Sequence, residues 1–309
     1  MEDTRFIKEK GELDYQKYGD DLARLFEATA NLLEREWPSR YKQIDSSRTV
    51  FFQSVRIAIN TFNTIMFISA DIPKDPHRRP AFALSLAPLT RTLFEQLITF
   101  VFLIEDIPTY IPWLFKTGYT EYRIQLEHCL QYHGTAAEWQ PYIDNLRVQI
   151  ARVEKESHLT GAEMSNPRKN IGRWPTPGGM LHKLKREHKT SEAIPFIEYV
   201  NSWLYRELSG QTHLNATGVT TRGSFFDGKI AEQILGSDWE EKLKDLLLNY
   251  RLKQIYISVT LMLAIASEIE GHFNFGRNEK ARYLWGVFSE HSDITKDFWD
   301  TRYSALLAE

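Results

Sequence analysis

The residues best suited to chemistry lie in segment 205–213, which reads Tyr-Arg-Glu-Leu-Ser-Gly-Gln-Thr-His. It contains Tyr205, Arg206, Ser209 and His213. A histidine titrates near neutral pH and can transfer protons, and a guanidinium is a strong partner for a phosphoryl group. The segment therefore predicts a polar site for proton transfer or anion binding. As an alternative, Ser209 and His213 cap the end of a helix.

A second polar pair lies earlier, within an apolar stretch. Arg91 and Glu95 are four residues apart, so they share one face of a helix and can form an ion pair. Burying such a pair costs several kcal/mol in desolvation, and it is often kept where chemistry or specificity needs it. We expect Arg91 and Glu95, with Tyr205 and Ser209, to shape one site. The alternative is a structural pair that ties two helices together.

The spacing between Arg206 and His213 sets a geometric condition on this site. On an unbroken helix the two residues share a face but lie about 10 Å apart along the axis, which is long for two groups acting on one phosphate. Glycine commonly ends a helix. We therefore expect the helix to stop at Gly210 and the chain to turn His213 back toward Arg206.

The composition excludes several classes of protein. The chain has 309 residues, 42% of them hydrophobic, which is enough for a sizeable core. A net charge of −3 argues against a protein that coats polyanions, and a single cysteine excludes an intrachain disulfide or a Cys-rich zinc site. The charged N-terminus does not resemble a secretory signal, and the longest uncharged apolar stretches hold about 12–14 residues, too few to span a membrane. We expect a cytoplasmic protein with no membrane partner.

The apolar spacing is helical along most of the chain. It predicts helices at 13–37, 45–70, 80–104, 107–133, 136–158, 180–189, 191–208 and 238–270, followed by two short ones. The helix at 80–104 is apolar on most faces, so we expect it at the centre of a bundle. We predict an all-α multi-helix bundle that forms a single domain over residues 1–309, with an irregular loop inserted at 160–179.

A basic stretch follows the middle of the chain. Residues 147–190 contain ten lysines and arginines against four glutamates, with a tryptophan among them. Basic groups around an aromatic side chain suit phosphate contact and base stacking. The residues that we expect to bind nucleic acid are Arg168, Lys169, Arg173, Trp174, Lys183, Lys185 and Arg186. The alternative is a solvated basic face balanced by acidic residues elsewhere.

Metal and cofactor motifs are missing from the sequence. It has no Glu-x-x-His of the kind that di-iron bundles carry, no complete phosphate-binding Gly-x-x-x-x-Gly-Lys-Ser/Thr loop and no Gly-x-Ser-x-Gly. We therefore expect no cofactor and no metal. A mononuclear site built from Glu95, His213 and either Glu268 or His272 is the alternative that the spacing leaves open.

The motifs Arg91-x-x-x-Glu95 and Tyr205-x-x-Leu-Ser209-x-x-x-His213 resemble those of a family of helical, mostly bacterial proteins classed as a domain of unknown function. The resemblance covers residues 82–215. It implies an all-α fold with a clustered polar site, and it carries no established reaction.

Arg206 and His213, separated by six residues, also resemble the motif of the HEPN ribonucleases, in which four to six residues separate an arginine from a histidine. Glu207 departs from the Asn, Asp or His usual after that arginine. The resemblance implies a metal-independent endoribonuclease, active as a toxin or phage-defence effector, with His213 moving protons and Arg206 stabilising the phosphate. It further implies RNA as substrate, a homodimer, and a protein partner or antitoxin.

A second hypothesis comes from a different class of protein. A non-enzymatic helical binding or regulatory protein could use the same polar pocket for an anion or a nucleotide. It would bind its ligand without turnover.

Overall fold

A computed structural model describes residues 15–35, 45–70, 79–212 and 227–308. These residues are helical apart from short connections. The α-helices, numbered here in chain order, are α1 (Tyr15–Arg35), α2 (Asp45–Ala70), α3 (Arg79–Glu105), α4 (Ile107–His133), α5 (Gln140–Glu156), α6 (Gly161–Ser165), α7 (Pro167–Asn170), α8 (Pro177–Glu187), α9 (Ala193–Val200), α10 (Arg206–Thr212), α11 (Gly228–Leu235), α12 (Trp239–Phe273), α13 (Asn278–Ser289), α14 (Asp293–Phe298) and α15 (Ser304–Leu306). A π-helical turn, Asn201–Tyr205, joins α9 to α10, and a second, Trp299–Tyr303, joins α14 to α15.

Within these ranges no residue lies in a strand, so the prediction of an all-α multi-helix bundle is confirmed. Polar side chains explain several helix starts. Asp106 accepts a hydrogen bond from the backbone N–H of Thr109 at the start of α4, and Ser292 does the same for Thr295 at the start of α14. Such caps satisfy N–H groups that have no partner inside the helix.

The segment 160–179, predicted to be an irregular loop, contains the short helices α6 and α7. The Thr160 hydroxyl accepts a hydrogen bond from the N–H of Glu163 at 3.2 Å, and the Glu163 carboxylate accepts one from the N–H of Thr160 at 2.8 Å. This reciprocal capping box stabilises the first turn of α6. The Asn166 side chain caps α7 ahead of Pro167 by accepting a hydrogen bond from the N–H of Lys169. Residues 172–176 remain non-helical.

The described residues divide into two compact units. The larger unit is drawn from residues 1–102 and 181–309, and the smaller unit is residues 103–180. The single domain expected over residues 1–309 stays a prediction.

The core of the larger unit forms around α12. Every residue of this helix from Gln254 to Glu270 is buried, and helices α1, α2, α11, α13 and α14 pack against it. The Phe51 ring of α2 contacts Phe273 of α12 edge-on at 5.5 Å between centroids, and the hydroxyls of Thr90 and Ser258 join α3 to α12 at 3.2 Å. The central position that we expected for the helix at 80–104 therefore belongs to α12.

Two described helices are long and apolar enough to cross a membrane by length and composition alone, namely Leu84–Glu105 and Trp239–Phe273. In the most apolar window of each, 56% and 89% of the residues are buried inside the protein. Core helices of soluble proteins meet the same criterion, so these two helices are weak evidence for a membrane segment.

The smaller unit is built on the pairing of α4 with α5. Tyr119 of α4 packs with Ile150 and Val153 of α5 and with Ile171, which follows α7. The indole N–H of Trp113 donates to the Ile171 carbonyl at 3.2 Å. A second apolar cluster contains Cys129, Ile143 and Leu146. These contacts hold the segment that follows α5 against α4.

A buried ion pair fixes the C-terminal segment of the larger unit. The Glu268 carboxylate on α12, only 2% exposed, accepts hydrogen bonds from Arg302 Nε and Nη2 at 2.5 and 2.8 Å and from the Tyr303 hydroxyl at 3.0 Å. The Arg302 guanidinium lies 5.6 Å from the centroid of the Phe196 ring. Three hydrogen bonds thus satisfy the oxygens of this buried carboxylate.

We predict that Arg302→Met destabilises the protein by about 3–5 kcal/mol, because the substitution leaves the Glu268 carboxylate buried without its counter-charge. Urea unfolding followed by circular dichroism measures the change. The matched control is Arg56→Met, which breaks a 2.7 Å pair with Glu27 at the surface and should cost less than about 1 kcal/mol. Equal losses in the two variants would contradict the role given to Arg302.

Candidate functional site

The two polar elements singled out in the sequence meet in the larger unit. The Arg91 guanidinium of α3 lies 5.3 Å from the centroid of the Tyr205 ring, and Arg91 Nη2 donates to the Tyr205 hydroxyl at 3.4 Å. Arg91 Nε also donates to the Glu95 carboxylate at 2.9 Å. Residues 114 positions apart are thereby joined in one cluster.

The Arg91–Glu95 pair lies nearer the surface than expected. Its side chains are 17% and 42% exposed. Water therefore reaches the Glu95 carboxylate, and the desolvation cost expected for a buried pair does not apply in full. What distinguishes this pair from an ordinary surface pair is the contact between its arginine and Tyr205.

Tyr205 is held on two sides. Its ring packs against Phe94 at 5.6 Å between centroids, while Arg91 lies over it. Tyr205 is also the last residue of the π-helical turn, so the extra residue of that turn shifts the positions that follow it. Turns of this kind occur frequently at functional sites.

Arg206, the residue after the π-helical turn, begins α10 and is exposed. Among the residues that the structure describes, it forms no ion pair with a carboxylate. Its neighbours on both sides are anchored: Tyr205 by Arg91, and Glu207 by an ion pair of 2.7 Å with Lys253 of α12. The guanidinium of Arg206 is therefore presented to solvent from a fixed stretch of helix.

The sequence did not reveal Lys253. Its side chain is largely buried, yet its charge is matched by Glu207, 46 positions earlier in the chain. No periodicity connects two residues so far apart, and only the tertiary fold brings them together. Glu207, which departs from the HEPN pattern, thus has a structural partner.

The expectation that Gly210 ends the helix is wrong, because α10 continues through Gly210 to Thr212. A glycine inside a helix costs only about 1 kcal/mol relative to alanine, which tertiary packing can offset. The buried Leu208 supplies such packing. Ser209 is half-buried one residue before the glycine, and His213 lies outside the described residues.

The residues predicted to bind nucleic acid are divided between the two units. Arg168, Lys169, Arg173 and Trp174 belong to the smaller unit, and Lys183, Lys185 and Arg186 belong to the larger one. Trp174 packs against Trp113 at 5.1 Å between centroids, so one side of its indole is in contact with another ring and is not available to stack on a base. Neither unit by itself contains all seven of these residues.

Carboxylates neutralise much of this basic charge. Arg168 pairs with Glu127 at 3.0 Å, Lys185 pairs with Glu198, and both Lys183 and Arg186 pair with Glu187. Burial alone raises the pKa of Glu187, but hydrogen bonds from Arg186 and Lys183 outweigh it and lower the pKa to about 2. Within the smaller unit, Lys169 and Arg173 remain exposed without an ion pair.

In the described part of the chain, no three histidine, cysteine, aspartate or glutamate side chains are grouped closely enough to hold a metal ion. Glu268, named in the alternative mononuclear site, is engaged by Arg302 and Tyr303. Glu95 is engaged by Arg91. Both carboxylates of the alternative metal site are thus already bound to other side chains.

Comparison of the chain with models of protein families, with curated proteins and with solved structures gives no match. The two resemblances stated from the motifs therefore stay predictions.

A double-mutant cycle tests whether Arg91 and Tyr205 act together. We expect the Tyr205→Leu and Arg91→Met substitutions to show a coupling of about 0.5–2 kcal/mol in urea unfolding, because each removes the same cation–π contact. Tyr205→Phe is the control, since it keeps the ring and loses only a long hydrogen bond. Additive losses in the Leu cycle would show that the contact contributes nothing measurable.

The helix that leads into this site contains an alkaline-sensitive residue. Burial, the nearby negative charge of Asp297 and a hydrogen bond of 3.3 Å to that carboxylate raise the pKa of Tyr199 to about 12. An unfolded tyrosine titrates near pH 10, so the stability that Tyr199 contributes is complete below that pH. This stability is lost as the pH rises from about 10 to 12.

We therefore predict that Tyr199→Phe loses less stability than the wild type between about pH 9.5 and 11.5, because the variant has no phenol to ionise at this position. Urea unfolding at both pH values gives the four free energies needed. Equal losses in the two proteins would show that folding does not raise the pKa of Tyr199.

Proposed function

We propose that the chain is a metal-independent endoribonuclease in which Arg206 stabilises the phosphate and His213 transfers protons. The observation that carries the proposal is the exposed guanidinium of Arg206, which has no carboxylate partner among the described residues and begins a helix anchored on both sides of it. An arginine held in this way can meet a phosphate without giving up an existing ion pair.

The anchoring of the neighbours supports catalysis as well as binding. Transition-state stabilisation requires donors that are already oriented when charge develops on the phosphate. Arg91 and Phe94 hold Tyr205, and Lys253 holds Glu207, so the backbone of Arg206 is fixed before a ligand arrives. Binding of a phosphate then has to order only the side chain of Arg206.

The reaction follows from the two residue types. The 2′-hydroxyl oxygen of the RNA attacks the adjacent phosphorus while neutral His213 accepts its proton. The bond from phosphorus to the 5′ oxygen breaks, that oxygen takes a proton from water as it leaves, and His213 afterwards returns its proton to the solvent. Arg206 donates hydrogen bonds to the non-bridging oxygens, which gain charge in the transition state. The products carry a 2′,3′-cyclic phosphate and a 5′-hydroxyl.

A second candidate is a non-enzymatic protein that binds an anion or a nucleotide at the same place. The continuation of α10 through Gly210 favours it, because the turn that would bring His213 toward Arg206 does not occur at that glycine. The half-exposed Glu95 carboxylate beside Arg91 would then select among ligands by offering an acceptor.

The proposed cellular setting follows from the motif resemblance. We propose a cytoplasmic toxin or phage-defence effector that acts as a homodimer on RNA, with a protein partner or antitoxin restraining it. No membrane is required for this activity.

The proposal predicts cleavage of total RNA by the purified full chain in the presence of EDTA. His213→Ala and Arg206→Met should each lower the rate by about 10²-fold or more, because each removes either proton transfer or charge stabilisation. Denaturing electrophoresis with time gives the rates. Arg282→Met is the matched control, since Arg282 is also exposed and without an ion pair in the described part of the chain, and it should cleave as the wild type does.

Two outcomes would decide between the candidates. Absence of cleavage by the wild type, together with an increase in melting temperature when a nucleotide is added, would favour the binding protein over the endoribonuclease. Cleavage that is equal in the wild type and the His213→Ala variant would remove His213 from the mechanism.

A further inference from the structure

The smaller unit contains a polar cleft that the proposed function does not use. It lies between α4 and the segment holding α6 and α7, and has a volume of about 190 Å³. Its polar lining consists of Thr120, Arg123, Glu127, Ser165, Asn166 and Arg168. Since one water occupies roughly 30 Å³ of liquid, the cleft has room for a phosphate group and a few waters.

Arg123 is the charged group in this cleft that lacks a counter-ion. It is half-buried, and within residues 103–180 it forms no ion pair. Its closest partner is the ring of Tyr119, whose centroid lies 5.9 Å from the guanidinium and whose hydroxyl is 3.4 Å from Nη1. That hydroxyl donates in turn to the Glu154 carboxylate at 3.0 Å, so the charge of Glu154 reaches Arg123 only through Tyr119. A bound anion would give the partly desolvated guanidinium a direct charged partner.

The other polar groups of the cleft favour an anion as well. The Asn166 side-chain oxygen accepts a hydrogen bond from the N–H of Lys169 at 3.2 Å, which leaves its amide nitrogen to donate. The Ser165 hydroxyl donates to the Ala162 carbonyl at 2.9 Å, so it is not counted among the donors to the cleft. Arg168 is held by Glu127 at 3.0 Å, so two guanidinium groups face one carboxylate and the lining carries one net positive charge.

We propose that this cleft binds a phosphate group, with Arg123 as its principal ligand. The side-chain amide nitrogen of Asn166 and the guanidinium of Arg168 are further donors. Donors from two separate segments match the several oxygens of a phosphate better than the two oxygens of a carboxylate. The phosphate belongs either to a small phosphorylated molecule or to a nucleic-acid backbone. This proposal does not rest on the roles proposed for Arg206 and His213.

Isothermal titration calorimetry of the full chain tests this site with two separate probes, inorganic phosphate and a short RNA whose 5′ end is a hydroxyl. Arg123→Met should weaken the binding of whichever probe is taken up by about tenfold or more, because it removes the charge-assisted hydrogen bonds. Arg152→Met is the matched control. Arg152 is an exposed arginine of the same unit, paired with Glu156 and outside the cleft.

Uptake of inorganic phosphate that Arg123→Met weakens and Arg152→Met does not would support a small phosphorylated ligand. The same dependence for the RNA alone would support a backbone phosphate. If the wild type binds neither probe, or if both variants bind alike, the proposal is overturned. Should Arg123→Met fail to fold, Arg123→Lys decides by the same comparison, because it keeps the charge and loses the planar fork of donors. None of these outcomes tests the cleavage of RNA that we propose for Arg206 and His213, which has its own experiment.

Discussion

The larger unit depends on one constraint, the burial of the Glu268 carboxylate in the middle of its core. A carboxylate that is 2% exposed requires a counter-charge and hydrogen bonds from the chain itself. Arg302 and Tyr303 supply both from the π-helical turn between α14 and α15. The C-terminal segment must therefore lie against the last third of α12.

The same constraint extends to the candidate site through aromatic contacts. Phe196 of α9 lies beneath the Arg302 guanidinium and packs edge-on against Tyr303 and Phe298. Because α9 runs directly into the turn that ends at Tyr205, fixing Phe196 also fixes the start of α10. Both π-helical turns end in a tyrosine whose hydroxyl is hydrogen-bonded: Tyr205 accepts from Arg91, and Tyr303 donates to Glu268. The exposed Arg206 is thus supported from α3 on one side and from the C-terminal segment on the other.

Most of the longer helices could be predicted from the sequence, because apolar residues recur at helical spacing. The short helix α6 was missed, although its cap at Thr160 follows a local rule. The ion pair of Arg91 with Glu95 was predictable, since both residues lie on one helix face. The partners that lie far apart in the chain were not. Lys253 beside Glu207 and Trp113 beside Trp174 meet only through tertiary packing. The course of α10 past Gly210 was mispredicted because a local propensity of about 1 kcal/mol is weaker than the packing of a helix against a core.

The chemistry assigned to Arg206 and His213 has a definite signature in the products it leaves. Mass spectrometry of the RNA ends formed by the purified protein in EDTA is the most direct measurement of that chemistry. Attack by the 2′-hydroxyl predicts fragments that end in a 2′,3′-cyclic phosphate and begin with a 5′-hydroxyl. Fragments with a 3′-hydroxyl and a 5′-phosphate, or RNA that stays intact, would contradict it.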